Sequence, residues 1–190
     1  MKTANPLTMH QRLAIAAALF FFMLLTRGSH MLTSVALPDA SLAVFLLGGI
    51  FLQRAGWFAL FFMTAATIDF GTAAWNPYYG FCLTDGYWGL IPTYGVMWLG
   101  GRWLAKQQDT FAFAPYLLIT AGTTLLAFII STQTYYLFSG RFPNQGLHET
   151  ILHGWNYLPN YLGYTMMYFA IIWLSVRLFR HIRSLRHINA

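Results

Sequence analysis

Apolar residues run through this chain in six long stretches, near 11–26, 39–53, 55–70, 89–105, 112–138 and 158–180, separated by short polar or aromatic segments. Judged against the roughly 20 residues an α-helix needs to cross a bilayer, the pattern predicts six spanning helices. Pro38, Pro115 and Pro159 fall near the starts of the second, fifth and sixth stretches, where a missing N–H costs little. Pro92 lies within the first turns of the fourth, so that helix either starts late or bends. The expected fold is an all-α integral membrane protein, with residues 1–190 as one transmembrane domain.

Composition supports that class. The 190 residues are 57% hydrophobic and only 8% charged, against roughly 25% charged in a soluble domain, too few to cover a water-facing surface. The net charge of +6 does not mark a nucleic-acid partner, because Lys and Arg form no face on a soluble fold. They mark topology instead. With six spans, Lys2, Arg12, Arg54, Arg102, Lys106, Arg177, Arg180, Arg183 and Arg186 share one side, which places both termini in the cytoplasm. The other side holds Arg27 and Arg141 with Asp39, Asp69, Asp85 and Glu149. The first stretch reads as a retained helix, since no small-x-small cleavage site follows it closely. Gly95 to Arg102 lacks the Lys-Ser/Thr of a P-loop, which excludes ATP hydrolysis by that route.

The second and third stretches are short, ending outward near Pro38-Asp39 and near Asp69-Phe70-Gly71. Short helices leave a recess, tolerated at membrane depth only where protein buries it or a cavity is lined by it. A pocket open to the outside is expected. Its candidate lining comes from Arg27 and His30; from the 69–88 stretch with Asp69, Trp75, Asn76, Tyr78, Tyr79, Phe81, Cys82, Asp85, Tyr87 and Trp88; and from Arg141, His148, His153, Trp155, Asn156, Tyr157 and Tyr161. An interfacial belt accounts for about half of these rings without any ligand. Cys82 is the one cysteine, a soft sulfur suited to a transition metal, although a free cysteine is most often a small buried hydrophobe. Asp69 is equally a site residue or a solvated helix-end carboxylate. Thr84 or Asp85 could simply cap the fourth helix. His30 is a wetted loop residue, a metal ligand or a hydrogen-bond donor.

These residues resemble the BtuM-type cobalamin-specific S-components of energy-coupling-factor (ECF) transporters. The resemblance covers the whole chain in size and six-helix layout. Its specific part is His30, the helix end Ile68-Asp69-Phe70, and Tyr79-Gly80-Phe81-Cys82 through Asp85-Gly86-Tyr87-Trp88. It implies an S-component-like bundle in a bacterial cytoplasmic membrane that takes up vitamin B12. The corrinoid would sit in the outward-facing pocket, with Cys82 as an axial ligand to cobalt and His30, Asp69, Phe81, Asp85 and Tyr87 around it. A corrin ring fills four equatorial positions, so one thiolate suffices to bind its metal. Displacement of cyanide from cyanocobalamin by Cys82 would then be a borderline enzymatic activity. The family docks on a membrane coupling subunit with ATPases through small residues of its first helix, and Ala14 and Ala18 supply such a face; ordinary packing inside the bundle is the competing reading.

Two other classes compete with transport. One is a membrane thiol enzyme with Cys82 as nucleophile, His30, His148 or His153 as base, and Asp69 or Asp85 orienting it. The other is an assembly subunit without chemistry.

Overall fold

The structure is a computed structural model that describes residues 7–27, 37–142 and 147–188. Its helices are α1 (Met9–Arg27), α2 (Ser41–Phe51), α3 (Ala55–Trp75), α4 (Leu90–Leu104), α5 (Phe113–Phe138), α6 (Leu147–Gly154) and α7 (Leu158–Ile188). Two 3-10 helices, Pro77–Cys82 and Asp85–Gly89, join α3 to α4, and a 3-10 turn, Trp155–Tyr157, joins α6 to α7. No strand occurs among the described residues.

Four helical runs are long and apolar enough to cross a membrane: Met9–Arg27, Ala55–Trp75, Phe113–Phe138 and Ile151–Leu185. Their outward surfaces carry Phe21, Met63, Leu118 and Leu174, all exposed, as a lipid-facing surface requires. The second and fourth stretches fold as helices of 11 and 15 residues, about 16 and 22 Å long at 1.5 Å per residue. Both fall short of the roughly 30 Å hydrocarbon core. The third stretch is longer than expected. It does not stop at Asp69-Phe70-Gly71 but continues to Trp75 and ends at Asn76, whose side chain accepts from the Tyr78 amide ahead of Pro77. Asp69 thus sits within the helix, with its carboxylate held by Arg27.

Helix α2 is the centre of the bundle. Every residue from Ser41 to Ile50 is buried, which explains its unbroken apolar sequence: it has no lipid-facing or water-facing side to pattern. It runs parallel to α4 and touches it backbone to backbone. A Cβ on Gly49 would strike the Trp98 carbonyl oxygen, and one on Gly101 would strike the Leu46 carbonyl oxygen. Two glycines thus set the approach from both sides. Phe45 stacks on Tyr94 at 4.2 Å between ring centroids with the rings 6° from parallel, and its edge meets Phe61 of α3.

Pro92 starts α4 rather than bending it. The helix begins at Leu90, whose amide bonds back to the carbonyls of Tyr87 and Trp88, so Pro92 lies in the first turn, where its missing N–H has no partner to lose. Thr84 makes no side-chain cap, and Asp85 opens the 3-10 helix rather than capping α4. At the opposite end of the bundle, Trp173 Nε1 donates to the Phe111 carbonyl at 2.9 Å and Arg180 to Asp109 at 2.8 Å. These two bonds tie the α4–α5 loop to α7.

Candidate functional site

The recess left by short α2 is closed at its floor by one arginine. Arg27, the last residue of α1, points its guanidinium over the N-terminus of α2. Nε donates to Asp69 Oδ1 at 2.7 Å and Nη2 to Asp69 Oδ2 at 2.5 Å. Nη1 reaches Asp39 Oδ2 at 3.0 Å, Ser41 Oγ at 2.8 Å and Tyr94 OH at 2.7 Å. Tyr87 OH donates to Asp69 Oδ2 at 2.9 Å. Asp39 Oδ1 in turn accepts from the Ser41 amide and hydroxyl, at 2.9 and 2.6 Å. One cation therefore joins residues of α1, α2, α3, α4 and the 3-10 helix before α4.

Local structure aims each group. Gly86 and Gly89 let the Asp85–Gly89 helix lie directly on α5, since a Cβ at either would run into Thr134. Tyr87, between them, is held against Asp69. Burial pushes the Tyr87 hydroxyl well above its ordinary pKa, and the Asp69 charge pushes it further. Tyr87 therefore keeps its proton and remains a donor at physiological pH. The guanidinium side chain is 10% exposed, Asp69 21% and Asp39 48%, so Asp39 is the wetter carboxylate of the pair.

Two cavities flank this cluster. The first, about 410 Å³, has Arg27, Asp39, Asp69, Tyr87 and Tyr94 on one wall and Ser131, Thr134, Tyr135, Tyr161, Tyr164 and Thr165 of α5 and α7 on the other. The second, about 310 Å³, shares Arg27, Asp39 and Asp69 and is completed by Thr26, Thr72, Tyr79 and Leu83. Arg27 and its two carboxylates form the partition between them. Thr93, Thr134 and Thr165 each donate to a carbonyl four residues back in their own helix, so towards the first cavity they offer oxygen lone pairs rather than protons. With two carboxylates against one arginine, the wall is rich in acceptors and carries a net negative charge. It suits a ligand that brings N–H donors or positive charge, and repels a carboxylate or phosphate.

Of the residues singled out by sequence, Arg27, Asp69 and Tyr87 are brought together here, with Tyr161 on the far wall of the first cavity and Tyr79 in the second. Cys82 closes the Pro77–Cys82 helix, between Tyr79 and Leu83 of the second cavity; its thiol is outside the described side chains, and His30 is outside the described residues. Phe81 lies elsewhere, in a shallow recess of about 520 Å³ with Tyr78 and Arg141, where the Arg141 guanidinium stands 3.8 Å over its ring. Asp85 is exposed and lines neither cavity. Trp75, Tyr78, Trp88 and Tyr157 are exposed, consistent with an interfacial belt. His148 and His153 are exposed on α6.

The sequence reading missed Ser41, Tyr94, Tyr164 and Thr165 and used Asp39 only to mark topology. A signal was present for Asp39, an acidic residue directly before an unbroken apolar run, facing a lone arginine at the end of the preceding one. Neither a protein-family model nor a curated protein matches this chain.

Proposed function

We propose that the chain binds a corrinoid of the cobalamin class and carries it across a bacterial cytoplasmic membrane, as an S-component-like subunit with six spans and both termini inside. The observation that supports this reading best is the pair of cavities sharing Arg27, Asp39 and Asp69, one acceptor-rich and tyrosine-lined, the other bordered by the segment that carries the one cysteine. A corrinoid presents the matching chemistry: a flat apolar macrocycle, a rim of carboxamide N–H donors, and a cobalt centre carrying positive charge. Each cavity falls within the range of small-molecule pockets, but neither holds a whole cobalamin alone. The reading therefore has the ligand span both, with Arg27 and its partners against the ring edge.

In this reading Cys82 supplies the axial thiolate, a soft donor that displaces the ligand's own lower base or a bound cyanide. The exchange needs no oxidant. The sulfur–cobalt bond forms as the cobalt–carbon bond breaks, cyanide leaves with the bonding pair, and the thiol proton leaves with it. Tyr87 and Asp69 contact the ring or its amides and leave the metal alone. Uptake would draw on an ECF coupling subunit and its ATPases, and the exposure of Ala14 and Ala18 on the outside of α1 favours docking there over packing within the bundle. In this reading α2 and α4, though short, are the remaining two spans.

The test is the visible spectrum of purified protein loaded with cyanocobalamin. Wild type is expected to show a shifted corrin spectrum, Cys82→Ser one close to free ligand, with slower or absent loss of cyanide. Identical spectra at full occupancy would remove the cobalt–thiolate bond from the proposal, and failure of both proteins to bind would remove the corrinoid.

A further inference from the structure

A second groove lies on the outside of the bundle at its basic end. Helix α5 presents Phe113, Tyr116, Leu117 and Thr120, spaced three and four apart, and α7 answers with Met166, Phe169, Ala170, Trp173 and Leu174 at the same spacing. Between these faces is a slot of about 250 Å³. Its floor is buried Tyr116, Thr120 and Phe169, and Tyr116 OH spends its proton on the Phe169 carbonyl at 3.1 Å. Its rim is Leu117, Ala170 and Leu174, all exposed. Both helices here belong to runs long enough to cross a membrane, so the slot opens toward acyl chains and not toward water.

The slot ends at a cation. Trp173 packs against Phe113 at 5.4 Å, and one turn further along α7 the Arg177 guanidinium stands 5.1 Å from the centre of the Trp173 ring. The nearest carboxylate, Asp109, is taken by Arg180 at 2.8 Å. Burial pushes the Asp109 carboxyl up, but the hydrogen bonds from Arg180 and the Phe111 amide and the charges of Arg180 and Arg177 outweigh it and hold it below its usual range. Asp109 thus stays ionised and committed to Arg180. Among the described residues Arg177 makes no ion pair, and it is exposed, with Arg183 two turns beyond and Lys106 in the neighbouring loop also exposed.

We propose that this groove holds one acyl chain of an anionic phospholipid from the surrounding bilayer, with the lipid phosphate on Arg177. An apolar slot and, at its end, an exposed arginine stacked on the slot's own Trp173 match the two halves of such a molecule. A neutral zwitterionic lipid would fill the slot equally well but bring a choline or amine to a basic end. A docked protein helix would cover the rim without drawing a phosphate to Arg177. Each basic residue near an anionic headgroup contributes roughly five-fold in affinity. The site is separate from the Arg27 cavity and does not depend on what that cavity binds.

Native mass spectrometry of delipidated full-length protein, titrated with phosphatidylglycerol and phosphatidylcholine, tests this. Wild type is expected to retain one phosphatidylglycerol about five-fold more tightly than phosphatidylcholine. Arg177→Ala should bring the two lipids to near parity, and Arg177→Lys should restore most of the preference. Ala170→Trp, which fills the slot, should lose both lipids; Leu117→Gln at the exposed rim is the second groove variant should the larger ring disturb folding. Unchanged preference in Arg177→Ala overturns the proposal. So does unchanged retention in both groove variants, including the case in which they weaken association with a second membrane protein instead. Competition by soluble glycerol phosphate at the same concentration as phosphatidylglycerol would leave an anion site without a lipid groove, and also overturns it.

Discussion

Arg27 and Asp69, 42 residues apart in sequence, meet through two parallel hydrogen bonds of 2.7 and 2.5 Å, and this fork fixes the end of α1 to the side of α3. The geometry is the bidentate one that arginine alone provides. Removing either partner strands a buried charge. Because Asp39 still faces Arg27, Asp69→Asn is expected to destabilise the protein by about 2–3 kcal/mol, at or below the low end for a broken buried pair. Thermal unfolding in detergent measures it. Arg27→Met with Asp69→Leu should cost less than the two single changes added, by about 1–3 kcal/mol of coupling; strict additivity would mean that the fork carries no energy of its own.

Topology decides which solvent reaches the site. The proposed topology, six spans with the basic end inside, predicts that a membrane-impermeant thiol reagent labels Cys82 in intact cells, and the proposed ligand predicts that saturating cyanocobalamin protects it. Labelling only after the membrane is opened would invert the orientation.

The α2–α4 crossing should be unforgiving where other glycines are not. Gly49→Ala and Gly101→Ala place a methyl against a backbone carbonyl, which cannot swing aside as a side chain can. Each is expected to cost about 3 kcal/mol or more, at the upper end for overpacking. Gly122→Ala on α5 meets nothing within 4 Å and should be neutral or stabilise by about 0.5–1 kcal/mol through helix propensity. Comparable melting temperatures for Gly49→Ala and Gly122→Ala would show that the helices are not in backbone contact.

Alkaline titration reads the Tyr87 site. Its hydroxyl holds a proton in the folded protein where the unfolded chain, titrating near pH 10, has lost it. The sign follows from proton counts: stability is fully present below about pH 10 and falls as pH rises beyond it. Tyr87→Phe is expected to flatten that alkaline loss, at the cost of the bond to Asp69. An alkaline limb unchanged in the variant would assign the loss to other tyrosines.

Much of the fold was legible because membrane helices announce themselves by length and hydropathy. The stretches at 112–138 and 55–70 matched α5 and the body of α3 for that reason. What hydropathy could not convey is the length of a helix with a charge inside it. Asp69 looked like a terminus because a charge interrupts the apolar run, but its carboxylate is held by Arg27 within the helix, and α3 runs six residues further, to Trp75. The same blindness hid the site. Asp69 and Tyr87 stood out as polar groups near apolar helix ends, whereas Ser41 and Tyr94 belong to the cluster only through Arg27, a contact over 14 and 67 residues that no local pattern encodes. Asp85, equally conspicuous in sequence, is turned outward because the glycines on either side of Tyr87 settle the register of its 3-10 helix against α5.

The glycine contact between α2 and α4 also limits how this molecule can move. Two rods touching backbone to backbone cannot slide or roll past each other without lifting apart, so they behave as one stiff post through the middle of the bundle. Any opening that admits a ligand to the two cavities must then come from the parts hung on that post: the end of α1 that carries Arg27, and the pair of 3-10 helices that carries Cys82 and Tyr87.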